Sequence, residues 1–453
     1  MRRRHVVSFP VSRDALRAQL WPLPALGVVL AAAAGVGLPR LDARIQHHLP
    51  PYLSTYLFGG GPGAARTVLE SIAGSMITVT ALTFSLTVVT LQLASSQFSP
   101  RLLRTFNRDR YVQRTLALFL ATFTYTLTVL RTVRTEGTGQ PLFVPQLSVT
   151  VAFLLALASV LALVAFLSHL AGKIRVETML RDVHTDTEDT IRRVLPESGP
   201  APAEYVTPPE PPVHAVPLPA GTSGFLTAAD EEALLAAAVE ADAVILIDRN
   251  PGSSLVAGTP AGAAWTRTGR PFTPDTLRIL VGRSADALTT GAERTHEQDV
   301  GFGLRQLTDV ATKALSPGVN DPTTAVHALS HCSALLCGLA KRDLSPRLLH
   351  DGHGDVRVVL RRPTLAELLH LVVAQPLRYG AADPSVLARI LMLLRELAWH
   401  TAPGQHHPIV ENLARVRSTV AAQDLHPGER AELLELCANV EEALTGRWPA
   451  VVP

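Results

Sequence analysis

The sequence predicts a membrane α-helical protein with four transmembrane helices, followed by a mixed α+β, mainly helical cytoplasmic domain. Three observations carry that expectation: a charge-poor, apolar composition, four long uncharged runs early in the chain, and a proline-rich break after which the pattern changes. Of 453 residues, 47% are apolar and 18% charged, with a mean hydropathy of +0.22, whereas an ordinary soluble domain carries about 25% charged residues. The length exceeds the roughly 250 to 300 residues that one hydrophobic core supports, so at least two parts are expected. A net charge of +2 gives no basic excess of the kind that recruits nucleic acid, and no nucleic-acid partner is expected. Cys332, Cys337 and Cys437 make an odd count, which argues against a disulfide framework and suits a reducing compartment.

Crossing a hydrocarbon core of roughly 30 Å takes about 20 helical residues. Ala18 to Pro39, Ser71 to Phe98 and Thr115 to Leu130 are uncharged, as is Gly137 to Gly172 apart from His169. The third run is short, and Arg114 and Arg131 at its ends must reach toward the two interfaces. The first run follows Arg2, Arg3 and Arg4 as a signal peptide would. The long stretch before it, Pro22 and Pro24 at its start, and the spans that follow fit an uncleaved helix better.

Lysine and arginine near helix ends are retained on the cytoplasmic side. The amino terminus, the loop after the second span and the segment after the fourth hold 15 such residues, against five on the opposite loops. The expected location is therefore the cell inner membrane, multi-pass, with both termini cytoplasmic. The expected segments are 1–19, a cytoplasmic amino terminus; 20–172, the transmembrane domain; 173–195, a juxtamembrane helix; 196–219, a linker with nine prolines; 220–290, a small α+β module; and 291–453, a mainly helical domain.

The second span is unusually rich in hydroxyls. On a helix, Ser71, Ser75, Thr78, Ser85 and Gln92 share one face, and Thr80, Thr83, Thr87 and Thr90 share another. Three readings fit the first face: packing between helices, lining of a wet pathway, or hydroxyls bonded back to the carbonyl four residues earlier. The apolar core of this span has no carboxylate, which disfavours an intramembrane proton relay.

The run GSMITVTALTFSLTVVTLQLASSQFSPRLLRTFNRDR, the run LATFTYTLTVLRTVR, and the later ERTHEQD and GFGLRQLTDVATKALSPGVNDPTTA resemble the bacterial predicted membrane proteins grouped as domain-of-unknown-function family 2254. The resemblance covers roughly Trp21 to Ala398. It implies several membrane helices followed by an intracellular portion, and it carries over no activity and no catalytic residue.

Beyond the linker, Gly224-Phe-Leu is expected to end a strand, Thr227 to cap a helix from about Ala228 to Ala241, and Ala243 to Asp248 to form a buried strand. Asn250-Pro-Gly is a turn, with short strands returning around Leu255 and Ala261 to Trp265. The turn spacing is distantly similar to hybrid barrel-sandwich domains, but their cofactor lysine is missing. From Pro274 onward helices dominate. Asp299 is expected to cap a helix from Gly301 to Leu315, Asn320 and Asp321 one from Thr323 to Leu339, and Asp383 another; a last helix runs from Glu429 to Leu444. Val356 to Leu360 reads as a strand.

Arg305, Lys313, Gly318 and Asn320 are the candidate anion-binding residues, because a glycine-containing loop before a helix amino terminus exposes backbone N–H groups. The plainer reading is a capped helix-loop-helix. His327, His331 and Cys332, and the group His350, Asp351, His353 and Asp355, lack the further ligands at a recognisable spacing that a zinc site needs; no metal and no cofactor is expected. Enzyme motifs are absent. The expected partners are the lipid bilayer, further copies of the chain in a homo-oligomer, and a small anion or ion. Two functions follow: channel-like conduction or transport with a regulatory domain, or a non-conducting scaffold or sensor that binds a protein or small anion.

Overall fold

The computed structural model describes residues 21–45, 57–97, 110–134, 143–173, 175–197 and 208–448, and the chain divides into two compact units, 1–175 and 176–453. The expected amino-terminal segment 1–19 and residues 198–207 of the linker lie outside the described residues.

The first unit holds α1 (Pro22–Ile45), α2 (Pro62–Gln97), α3 (Arg110–Leu130) and α4 (Gln146–Lys173). Pro22 and Pro24 open α1 rather than interrupt it, since the first turn has no use for the missing N–H. α3 packs against each of the other three, most extensively against α1. That closeness is built into α1 by small residues one turn apart, Gly27, Ala31 and Gly35. A Cβ on Gly35 would stand 2.7 Å from the Thr128 Cβ, and one on Gly27 3.2 Å from the Ala117 carbonyl oxygen. Tyr125 and Val129 of α3 fill the core beside them, with Leu69 of α2 and Val149 of α4.

α4 begins where α1 supplies a cap. The buried Asp42 carboxylate accepts from the backbone N–H groups of Leu147 (3.1 Å) and Ser148 (2.9 Å) and from the Ser148 hydroxyl (2.7 Å). Orphan donors at a helix amino terminus are thereby satisfied from another helix. The Tyr125 hydroxyl donates to the Ser148 carbonyl from the other side.

The second unit opens with α5 (Val176–Val194), which two residues separate from α4 along the chain. A mixed layer follows: β1 (Val216–Pro219), β2 (Gly224–Ala229), α6 (Glu231–Glu240), β3 (Ala243–Ile247), β4 (Ser254–Leu255), β5 (Pro260–Thr266), α7 (Pro274–Asp286) and β6 (Leu288–Gly291). The remainder is α8 (Gly301–Ala314), α9 (Pro322–Ala340), β7 (Arg347–His350), β8 (Val356–Leu360), α10 (Leu365–Tyr379), α11 (Pro384–His400), α12 (His407–Ala422) and α13 (Pro427–Leu444). One sheet has the order β1-β5-β3-β8-β7, with β3 and β8 parallel and the other pairs antiparallel; β4-β2-β6 form a second. The five-stranded sheet thus draws strands from both sides of residue 290. Leu234, Ile245, Ala264, Leu280 and Val358 make its core with α6 and α7.

Several local expectations shift. Gly224 begins β2 instead of ending a strand, and Thr227 lies within β2; the helix after it is capped by Asp230, whose side chain accepts from the Ala233 N–H. Asp383 and Asp321 cap α11 and α9 with proline at the next position, as expected. Asp299 accepts the Gly301 N–H, but the residue at the cap of α8 is Val300.

Among the described residues, four helices are long and apolar enough to cross a bilayer: α1, α2, α4 and α9. The chain is an α-helical membrane protein with a mixed α+β, mostly helical remainder. The third expected span, α3, falls short of that criterion, and α9, expected as a capped helix beyond the linker, meets it. Both follow from packing. α3 is enclosed by three neighbours, and its buried Thr115, Thr122 and Thr126 hydroxyls donate to carbonyls four residues back, so it need not be apolar all round. α9 is apolar because α5, α8, α10 and α11 enclose it within the second unit; Ala325, Leu329, Cys332 and Leu336 are fully buried.

Candidate functional site

The chemistry gathers at one edge of the five-stranded sheet. Ile247 at the end of β3 pairs with Leu360 at the end of the parallel β8, and Leu360 pairs with Arg347 at the start of β7. The one parallel pair, β3 and β8, ends at this edge, and each chain turn there brings arginine: Arg249 after β3, Arg361 and Arg362 after β8, and Arg347 beside them. The carboxyl end of α5 adds Arg192 and Arg193. A cavity of about 640 Å³ lies among these six side chains, Glu231 and Glu297, over an apolar floor that includes Leu195, Ile247, Val300 and Leu360.

The arginines are held in two ways. Arg347 pairs with Glu231 at 3.4 Å, Arg361 with Glu367 at 2.5 Å, Arg249 with Asp248 at 3.4 Å, and Arg192 with Glu188 at 3.4 Å; all are surface pairs, each worth little and easily exchanged. Arg193 and Arg362 are positioned by carbonyl oxygens. Arg193 donates to the carbonyls of His296 (2.8 Å) and Glu297 (3.1 Å). Arg362 donates to those of Asp343 (3.1 Å), Ser345 (3.4 Å) and Val194 (3.4 Å). Carbonyls orient a guanidinium without cancelling its charge. Burial draws Arg362 below the usual arginine value, and the neighbouring Arg347 charge acts in the same direction, against the opposing pull of Asp343 and Glu231.

Glu297 and Gln298 of ERTHEQD also line the cavity. Gln298 accepts from the Ala229 N–H (2.9 Å) and donates to its carbonyl (3.2 Å), extending the end of β2 as a strand would. Arg294 and Asp299 form a buried pair at 2.7 Å. Burial pushes the Asp299 carboxyl up, and Arg294 pulls it back. The pair fits because residue 252 is glycine at φ +88°; a Cβ there would stand 2.0 Å from an Asp299 oxygen. Thr190 donates to the His296 carbonyl at 2.9 Å, tying this segment to α5.

The family comparison decides what the chain is. A family model described as a predicted membrane protein, DUF2254, matches residues 17–396. The chain belongs to the DUF2254 family. Two relatives, from Mycobacterium bovis and Mycobacterium tuberculosis, are each 36% identical over 432 residues, covering 95% of this chain and 82% of theirs, and both are named as uncharacterised proteins. No solved structure matches.

In this DUF2254 chain the expected polar face of α2 points away from its own bundle. Ser71, Ser75, Thr78, Ser85 and Gln92 are exposed, while Thr83, Thr87 and Thr90 on the other side are buried among the helices. The Ser75 and Thr78 hydroxyls donate to the carbonyls of Ser71 (2.8 Å) and Gly74 (3.0 Å), and Thr87 and Thr90 also bond back one turn.

Of the residues expected to hold an anion, Lys313, Gly318 and Asn320 belong to one loop region and Arg305 stands apart from it. Arg305 is half-buried within α8, eight residues or about 12 Å of helix rise from Lys313 in the last turn. Gly318 and Asn320 are exposed, and Asn320 takes φ +50°. The amino terminus of α9 already has its carboxylate. Asp321 accepts from the Thr324 N–H (3.1 Å) and hydroxyl (2.5 Å), which lowers its carboxyl below the ordinary range. Among the described residues no group of histidine, cysteine and carboxylate side chains could hold a metal. Asp351 instead organises the β7-β8 turn, accepting the N–H groups of His353 and Asp355 and pairing with the buried Arg357 at 2.7 Å.

Sequence reasoning missed the arginine pocket. Arg192 and Arg193 entered only the charge count for orientation, and the other four were not singled out. The signal was local and faint: arginine one or two residues after each of two apolar strands, in Ile247-Asp-Arg249 and Leu360-Arg-Arg362.

Proposed function

We propose that this DUF2254 protein is a multi-pass receptor of the cell inner membrane, with both termini in the cytoplasm, whose carboxy-terminal unit binds a small anion. The observation that carries this reading is the pocket: six arginines against two glutamates around one cavity, with Arg193 and Arg362 oriented by carbonyls rather than carboxylates. Chain connectivity supplies the output, because α5 lends its last turn to the pocket and follows α4 after two residues. The count of 15 basic residues against five supports the orientation. Reporters fused after Pro453 and near Gly60 are expected on opposite sides of the membrane; the same side for both would refute it.

Binding is tested on the full-length protein in detergent by its thermal midpoint, with sodium pyrophosphate against sodium chloride at matched ionic strength. A ligand at a hundredfold excess over Kd stabilises the folded state by about 2.7 kcal/mol. A saturable rise in Tm that R193Q and R362Q remove is the expected result; an unchanged Tm across a wide range of pyrophosphate would overturn it.

Conduction by a homo-oligomer is the second reading, and the outward polar face of α2 favours it. That face meets lipid in a lone chain, and it lines a pathway when copies surround an axis. Ser75→Cys, Thr78→Cys and Ser85→Cys should then react with a small hydrophilic thiol reagent while Phe84→Cys, exposed on a different side, stays protected. Protection at all four positions refutes conduction through this face.

A further inference from the structure

We propose that the pocket takes an organic polyphosphate, a small molecule with two or more phosphoryl groups on a partly apolar body. This inference rests on the anion-receptor reading above and narrows it to one ligand class. The charge count comes first. Of the six arginines that line the cavity, Arg192, Arg249, Arg347 and Arg361 pair with carboxylates at the surface, and Arg193 and Arg362 are held by carbonyls that leave their charges to a ligand. A terminal phosphoryl group carries about −1.5 to −2 at neutral pH and a diester about −1, so a molecule with two phosphoryl groups answers both of those guanidinium charges.

Arrangement comes second. The charges come from separate turns of the chain that are tied to one another. Arg193 is fixed to the segment at His296 and Glu297, and Arg362 is fixed on one hand to Val194, next to Arg193, and on the other to Ser345, two residues before Arg347. Guanidinium forks on neighbouring turns match phosphoryl groups, which they meet bidentately. The repulsion between Arg347 and the half-buried Arg362 is relieved when an anion binds beside both.

Size and floor come third. A cavity of about 640 Å³ is in the range of sites for whole organic ligands, larger than inorganic phosphate requires. Its floor of Leu195, Ile247 and Val300 suits a carbon framework. Two sources offer such chemistry: a nucleoside di- or triphosphate in solution, and a lipid headgroup bearing two phosphoryl groups.

The test is calorimetric titration of the full-length protein in detergent with ADP, ATP, inorganic phosphate, citrate and, separately, micellar cardiolipin. ADP or ATP should bind at least tenfold tighter than phosphate or citrate. R347Q, at the exposed rim, and R362Q should each weaken that binding by about tenfold or more, and R278Q, outside the pocket, should leave it unchanged. Tight binding of cardiolipin alone, with the same variant pattern, supports the polyphosphate class with a membrane source. Citrate or phosphate binding as tightly as ADP and ATP overturns the class and leaves the anion receptor standing. Binding by none of the five overturns both. Because R362Q removes ties to three backbone carbonyls, R347Q decides the location: nucleotide binding undiminished in R347Q and R193Q would place any site elsewhere and overturn the proposal.

Discussion

Asn320 and Asp321 are adjacent in sequence and do different physical work. Asp321 satisfies the first turn of α9 with its carboxylate, while Asn320 supplies a left-handed residue, φ +50°, that lets the chain reverse before it. Asp321→Ala is expected to cost about 0.5 to 2 kcal/mol, and Asn320→Gly to be nearly neutral because glycine adopts that backbone freely; urea unfolding of each variant separates the two roles. A second residue-scale prediction concerns acid. Arg357 and two backbone N–H groups hold the Asp351 carboxyl down at about 2, below its ordinary 3.8. A carboxylate whose folded value is depressed stabilises above its unfolded value and loses that contribution as pH falls through the folded one. Stability should therefore decline between about pH 4 and pH 2, and Asp351→Asn should flatten that limb in a pH series of melting curves.

Helix seating depends on close approaches that composition does not advertise. Gly303 of α8 lies so near α5 that a Cβ would stand 1.6 Å from the Thr187 hydroxyl oxygen. Gly303→Ala must displace α5 and should destabilise the fold by about 1 to 3 kcal/mol, as overpacking does; pairing it with Thr187→Ala should recover part of the loss. Gly303 thus serves helix packing. Local signals for elements were readable where one stretch of chain decides the outcome, as in Asn-Asp-Pro322, Asp-Pro384 and the apolar strand at 243–247. They failed where a distant partner decides. Asp42 caps a helix that starts more than 100 residues later, Gln298 completes the end of β2, and α3 owes its tolerance of threonine to three surrounding helices.

At the scale of the whole molecule the same distinction explains the pocket. Its arginines come from positions 192 to 362 and meet because β3, β8 and β7 are neighbours, an adjacency that includes one parallel pair. No window of sequence contains that fact. The alternative anion site, the loop at 316–321, was legible because it is contiguous, yet its own carboxylate occupies the helix terminus where an anion would sit. If the pocket binds phosphoryl groups, arginines remain charged throughout and the pH dependence belongs to the ligand: affinity should fall below about pH 6, where a phosphoryl group loses its second charge.

Amide hydrogen exchange of the full-length protein in detergent, with and without saturating pyrophosphate, tests the account most directly because it reports which backbone the anion protects. Slowed exchange at 192–196 and 361–363, extending back along α5 and lost in R193Q, is the result the receptor reading predicts. Protection centred on 316–324, or no change at either place, would contradict it.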